Sequence, residues 1–284
     1  MKIEQYRSLP EWQEFAAREG ATLAAEAEAG QALKRELTDA GMPGHCPVCD
    51  APRRFLPPPG GLQADTSFRE SLHCETCRCI SRHRAAVAVL AEALPDLPRA
   101  RVYITEQASL LFMALRKRIG KLEGSEFVRS FRRRHALSAW MLAQGCRSYV
   151  RFQDVTALSF RGGSKDAVVS FDVLEHVPDY RKALREFARV LKPGGVLVIT
   201  VPFYAASATS ETIAYVDREG KLQTLGPPEY HGDPVSQGVL CFHHLGWDLL
   251  AEMRAAGFAE AEALRVGDAG QGIPEPLWLF RARR

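Results

Sequence analysis

The sequence predicts an α/β protein: a mainly parallel sheet with helices on both faces, preceded by a small N-terminal helical and zinc-knuckle module. Three observations lead there. From about residue 100, short β-branched runs alternate with helical stretches, the pattern of strands joined by crossover helices. Residues 164–203, SKDAVVSFDVLEHVPDYRKALREFARVLKPGGVLVITVPF, read as one complete βαβ unit. Upstream, two C-x-x-C pairs interrupt a Pro-rich segment that has too little apolar content to fold by itself.

Taken in order, residues 1–42 are rich in Ala, Glu and Lys, with Pro10 near the start and Gly41 at the end. They read as a solvated helical arm. Residues 43–98 form the knuckle and a linking helix. Pro57-Pro58-Pro59-Gly60-Gly61 forbids regular structure, and AAVAVLAEAL, about 85–94, is an apolar helix closed by Pro95. Residues 99–284 are the α/β domain. Its strands are RVYIT, KLEGSEF, SYVRF, DAVVSF and GVLVITV, followed by AEAEALRV and PLWLFRAR. Within the βαβ unit, Asp179 caps a helix behind Pro178, and Ala183, Leu184, Phe187, Val190 and Leu191 make one apolar stripe.

Charge and composition exclude several classes. A net charge of +3 on 284 residues is too mild to argue for nucleic acid. No apolar run reaches the roughly 18 residues of a membrane span, and MKIEQYRSLPEWQEF lacks a signal peptide's apolar core. A cytoplasmic protein is expected, in which the seven cysteines are reduced or metal-bound rather than disulfide-paired. Cys46-Pro-Val-Cys49 and Cys74-Glu-Thr-Cys77 lie 24 residues apart. Each pair sets two thiolates on one tight turn, and two turns complete a tetrahedron around Zn²⁺. With no open position the ion is structural. Redox cysteines are the alternative, and Cys79, His45, His73 and His83 are nearby substitutes. Cys146 and Cys241 read as small core residues.

FDVLEHVPDYRKALREFARVLKPGGVLVITVP resembles the strand 4–helix–strand 5 region of the class I S-adenosylmethionine-dependent methyltransferases, and the C-x-x-C pairs followed by Ser81-Arg82-His83-Arg84-Ala85 resemble a zinc-knuckle branch of that family. The resemblance implies a Rossmann-like seven-stranded class I sheet, S-adenosylmethionine as methyl donor and a methyl acceptor. FQDVTALSF resembles the segment that meets the adenine, through Asp154 and a backbone contact of Val155. Working backwards, RVYIT becomes strand 1. The loop after it is Thr105-Glu106-Gln107-Ala108-Ser109, where the family carries glycines. The donor has no phosphate to cradle, so a helix N-terminus suffices for its carboxylate and Glu106 answers its ammonium. Glu126, just past strand 2, is placed for the ribose hydroxyls, and Asp172 lies just past strand 4. Glu175 and His176 flank the cofactor, with His176 alternatively bracing its loop.

A long insert, 203–241, leaves from the strand end that faces the transferred methyl. Tyr230 and His231 are its candidate catalytic residues, His231 as general base. The alternative is that His231 shapes a tight turn at 232–234. His243 and His244 are expected to open the next helix. Phe131-Arg132-Arg133-Arg134-His135 reads as a solvated helix start rather than an RNA contact, lacking interleaved aromatics. The expected function is methyl transfer to a small molecule with a structural zinc site. The alternatives are an RNA methyltransferase that uses the knuckle for recognition, or a non-catalytic scaffold with the same fold.

Overall fold

The computed structural model describes residues 1–232 and 238–284. Seven strands form the main sheet: β1 (Lys2–Tyr6), β2 (Arg101–Ile104), β3 (Lys121–Gly124), β4 (Lys165–Phe171), β5 (Leu191–Thr200), β6 (Glu260–Asp268) and β7 (Ile273–Arg283). Their order across the sheet is β1-β6-β7-β5-β4-β2-β3. β3, β2, β4 and β5 run parallel, and β7, β6 and β1 are joined antiparallel. Among the described residues eight α-helices accompany them: α1 (Leu9–Arg18), α2 (Gly20–Glu36), α3 (Phe68–Ser71), α4 (Ser81–Ala93), α5 (Leu110–Leu115), α6 (Phe131–Ala143), α7 (Tyr180–Val190) and α8 (Leu249–Ala255). This is a Rossmann-like class I sheet, as expected.

The βαβ unit forms as its pattern requires. Asp179 accepts from the Lys182 amide at 3.0 Å. The α7 stripe of Ala183, Leu184, Phe187 and Val190 is fully buried against the sheet. The central strands are apolar on both faces because helices cover both.

Two expectations are corrected. Residues 1–42 are not a solvated arm throughout. Lys2–Tyr6 is an edge strand of the main sheet, paired with β6. Tyr6 is buried and meets Trp12 edge-on at 5.2 Å, close to Phe15 and Trp278. α1 is then set by its N-cap, in which Ser8 accepts from Glu11 N, while the Glu11 carboxylate accepts from Arg7 N just ahead of the cap. Second, SYVRF is not a full strand, since only Phe152 bridges to Glu126. The buried Gln107 side chain takes the place of a neighbouring strand. Its amide donates to Tyr149 O at 2.8 Å and accepts from Arg151 N at 2.8 Å. Those backbone groups are therefore satisfied without a ladder.

Residues 42–79 pack onto the sheet rather than standing apart. Three short strands, Met42–Cys46, Ala51–Leu56 and His73–Cys74, form a small antiparallel sheet. Phe55, Phe68 and Leu72 share one apolar core with Val102, Ile104, Leu264 and Leu279. Arg84 on α4 is fully buried. Its guanidinium lies 4.4 Å from the Phe55 ring and donates to Cys79 O at 2.6 Å and Gln271 O at 3.0 Å. It thus ties the knuckle to the β6–β7 hairpin. Gly272 beside it has φ +71°, and a Cβ there would sit 2.7 Å from the Phe55 ring. Arg84→Met should cost about 3 kcal/mol, because buried carbonyls lose their charged donor. Denaturant unfolding measures this, and an unchanged midpoint would show that Arg84 is not a strut.

Candidate functional site: four thiols and a charged crevice at the strand ends

The four predicted metal ligands converge. The Sγ atoms of Cys46, Cys49, Cys74 and Cys77 all lie within 4.8 Å of one another, with Cys46–Cys77 and Cys49–Cys74 each at 3.8 Å. Four thiolates on one zinc, each at about 2.3 Å, stand roughly 3.8 Å apart. The two turns are built alike. Asp50 N donates to Cys46 O at 2.8 Å, and Arg78 N to Cys74 O at 2.9 Å. Both Asp50 and Arg78 have positive φ, 54° and 60°. Cys79, His45, His73 and His83 are not part of this cluster.

The loop after β2 is held by carboxylates instead of being loosened by glycines. Glu126 Oε1 accepts from Gln107 N at 2.7 Å and Ala108 N at 2.6 Å. Ser109 caps α5, accepting from Phe112 N at 3.1 Å, and donates to Glu106 Oε1 at 2.9 Å. Burial pushes the Glu106 carboxyl up. Thr105 donates to Ser170 Oγ at 3.0 Å, which joins the tips of β2 and β4. Asp154 closes an Asx turn on Thr156 at 2.9 and 2.7 Å, and Val155 packs against the core beneath α7.

Asp172 ends β4 in the left-handed region, at φ +47°. It accepts from Thr200 Oγ1 at 2.9 Å and from both terminal nitrogens of Arg69 at 2.9 and 2.6 Å. Arg82 Nε lies 3.4 Å away and also pairs with Glu70. Burial alone would raise the Asp172 carboxyl, but the Arg82 and Arg69 guanidiniums outweigh it and hold it below the usual carboxylate range. Sequence reasoning missed Arg69 altogether. Arg82 carried a signal, as part of the Ser81-Arg82-His83-Arg84 run that opens α4.

The donor set has the charges to fit the methionine end of S-adenosylmethionine. Arg69 and Arg82, here paired with Asp172 and Glu70, could take a carboxylate, which would leave Asp172 and Glu106 for an ammonium. At the ribose end, Glu126 already holds the loop amides.

The insert brings a second group together. Glu175, in the turn after β4, is fully buried. Its neighbours are His176 Nε2 at 3.7 Å and His231 Nδ1 at 3.9 Å. His231 Nε2 is 2.9 Å from Glu229, whose other oxygen meets His244 Nε2 at 2.8 Å. Glu175, together with Glu229, pushes the His231 imidazole up to about 9. Tyr230 is exposed, on a two-residue strand with His231 that pairs with Val239–Leu240. The suggested turn at 232–234 falls partly outside the described residues. His243 and His244 do not open a helix. They pair with Glu211–Thr212, and α8 begins after Asp248. His243 is buried against Pro178 O at 3.1 Å. A half-open groove of about 700 Å³ lies beside His244, lined also by Tyr204, Ser210, Glu211 and Thr212. The Arg132–Arg134 run begins α6 behind the Ser130 cap, on the outside, as expected.

Comparison with known proteins agrees with this geometry. Residues 125–199 match a family model described as a methyltransferase domain. A 2-methyl-6-phytyl-1,4-hydroquinone methyltransferase of Synechocystis is 48% identical over 46 residues, 16% of this chain and 14% of that protein. A ubiquinone biosynthesis O-methyltransferase of Xanthomonas oryzae is 28% identical over 121 residues, 43% of this chain and 44% of that one. The chain thus spans less than half the length of these curated relatives. A solved S-adenosylmethionine-dependent methyltransferase from Mesorhizobium loti superposes with a TM-score of 0.47 at 21% identity, covering 72% of this chain and all of that one. The matched segment is thus a methyltransferase domain, and the order and directions of the strands are those of the Rossmann-like class I methyltransferase fold.

Proposed function

We propose that the protein is an S-adenosylmethionine-dependent methyltransferase acting on a small-molecule acceptor, with a structural zinc ion at Cys46, Cys49, Cys74 and Cys77. The observation that carries this reading is the placement of Glu106, Glu126 and Asp172 just past the carboxyl ends of β2, β3 and β4, where open α/β sheets bind their ligands. A scaffold has no physical need for half-buried carboxylates gathered there. When bound, the cofactor supplies a methyl group on a cationic sulfur. Glu106 and Asp172 are assigned to its ammonium, Arg69 and Arg82 to its carboxylate, Glu126 to the ribose, and Asp154 and Val155 to the adenine. Thr105 and Gln107 hold the loop in shape.

The acceptor side is assigned to the insert. A volume of about 700 Å³ suits a small ligand. The names of the curated relatives point the same way. The proposed mechanism is in-line transfer, dominated by positioning. His231 lies between Glu175 and Glu229, so its role is to orient rather than to act as a free base. Tyr230, exposed beside it, is assigned to the acceptor's entry. Among the described residues no helix is long and apolar enough to cross a membrane, and a cytoplasmic location is part of the proposal.

Calorimetric titration of the zinc-replete protein with S-adenosylmethionine and S-adenosylhomocysteine tests the reading. Binding with Kd on the order of micromolar is expected, weakened about tenfold or more for S-adenosylmethionine by Glu106→Gln, which removes a charged acceptor. No binding at millimolar ligand would leave the scaffold reading instead.

A further inference from the structure

We propose that Glu175, His176 and His231 form a divalent transition-metal site, separate from the four-cysteine cluster. Three independent observations carry it. First, Glu175 is completely buried, and neither of its carboxylate oxygens has a hydrogen-bond partner among the described residues. A bare buried carboxylate is costly unless it is paired or holds a metal. Second, its oxygen and one nitrogen from each imidazole lie within 4.8 Å of one another. The two measured separations, 3.7 and 3.9 Å, are too long for hydrogen bonds. They are close to the roughly 3–3.5 Å between ligand atoms that share an ion at about 2.1 Å, so a small closing movement completes the set.

Third, both imidazoles are already oriented by the partners that metal-bound histidines use. His176 Nδ1 donates to Leu240 O at 2.8 Å, which turns Nε2 toward Glu175. His231 Nε2 donates to Glu229 at 2.9 Å, which turns Nδ1 toward Glu175. The rings meet at 80° with centroids 5.0 Å apart, so their nitrogens converge on a point and do not stack. The alternative set of Glu229, His231 and Cys241 is weaker, because the Cys241 thiol donates to His243 O at 3.3 Å.

Two imidazoles and one carboxylate select borderline ions such as Zn²⁺, Co²⁺ or Fe²⁺ over Mg²⁺ and Ca²⁺. Three protein ligands leave positions open, as in catalytic rather than structural sites. The site adjoins the groove of the insert through Glu229, which links His231 to His244. The ligand class for an open position is therefore an acceptor's hydroxyl or amine lone pair. The metal-binding claim itself does not depend on methyl transfer.

The test is titration of zinc-replete, full-length protein with Co²⁺, followed by absorption and by metal content. One further equivalent is expected, with d–d bands and no thiolate charge-transfer band, unaffected by excess Mg²⁺. Glu175→Gln and His231→Ala should each weaken it at least tenfold, and Glu229→Gln by about tenfold. Cys241→Ser should leave it unchanged. Zinc content at the four cysteines and the melting temperature confirm folding of each variant. Glu175→Gln, an isosteric change that removes a buried charge, decides the matter if His231→Ala does not fold. No second equivalent, equal binding by Glu175→Gln, or loss on Cys241→Ser would each overturn the assignment.

Discussion

Removing the zinc proposed at Cys46, Cys49, Cys74 and Cys77 is expected to unfold residues 42–78 and to abolish cofactor binding in the same step. Phe55, Phe68 and Leu72 are fully buried in a core whose surrounding loops have little other support. A structural zinc contributes on the order of 10 kcal/mol to so small a module. Part of that is offset where the module leans on the sheet, so a loss of roughly 5 kcal/mol is expected, or about 10–20 °C in melting temperature. Arg69 leaves with the module, and Arg82 on α4 loses its Glu70 partner. Calorimetric melting of the Cys46→Ser/Cys74→Ser double variant, with S-adenosylhomocysteine titration alongside, separates this site from the histidine cluster. An unchanged melting temperature with the thiols metal-free would mean that the cysteines are not a structural site.

Glu126→Ala is expected to weaken S-adenosylhomocysteine binding by about 10- to 100-fold while the protein stays folded. The variant leaves the Gln107 and Ala108 amides without their acceptor. Each lost charge-assisted bond is worth about 1.5–3 kcal/mol, part of which water recovers at this partly exposed loop. The loop then no longer presents Glu106 and Ser109 in one arrangement. Glu126→Gln keeps one acceptor oxygen and should lie between wild type and Ala. Equal affinity in all three proteins would show that Glu126 holds neither loop nor ribose.

This explains how a strand-to-helix loop without glycine keeps its shape. Where glycines would let the backbone approach a ligand, residues 105–109 are fastened by three side chains. Glu126 holds two amides, Ser109 caps the short α5, and Gln107 clamps residues 149–151. The residues were visible in the chain. The bonds of Glu126 and Gln107 were not, because 18 to 44 residues separate the partners.

Legibility in the sequence follows the range of the interaction that decides each element. β4, α7 and β5 were readable because their apolar periodicity and the Asp179 cap act within a few residues. The four cysteines were readable because each pair fits a single turn. The SYVRF strand was misread because a β-rich run does not say which group will satisfy its backbone, and a glutamine did so. The first six residues were misread as part of an arm. KIEQY becomes a strand only because β6 offers it an open edge and Trp12, Phe15 and Trp278 bury Tyr6.

The sequence by itself determined the α/β class, the parallel core, the converging thiols and the methyltransferase-like segment, because hydrophobic periodicity and short ligand spacings are local properties of the chain. Tertiary structure alone decided that Arg69 reaches Asp172 across 103 residues, and that Glu175 meets His231 from another loop. Ion pairs and ligand sets depend on where separate segments end up in space, and that is set only when the common core of knuckle and sheet closes.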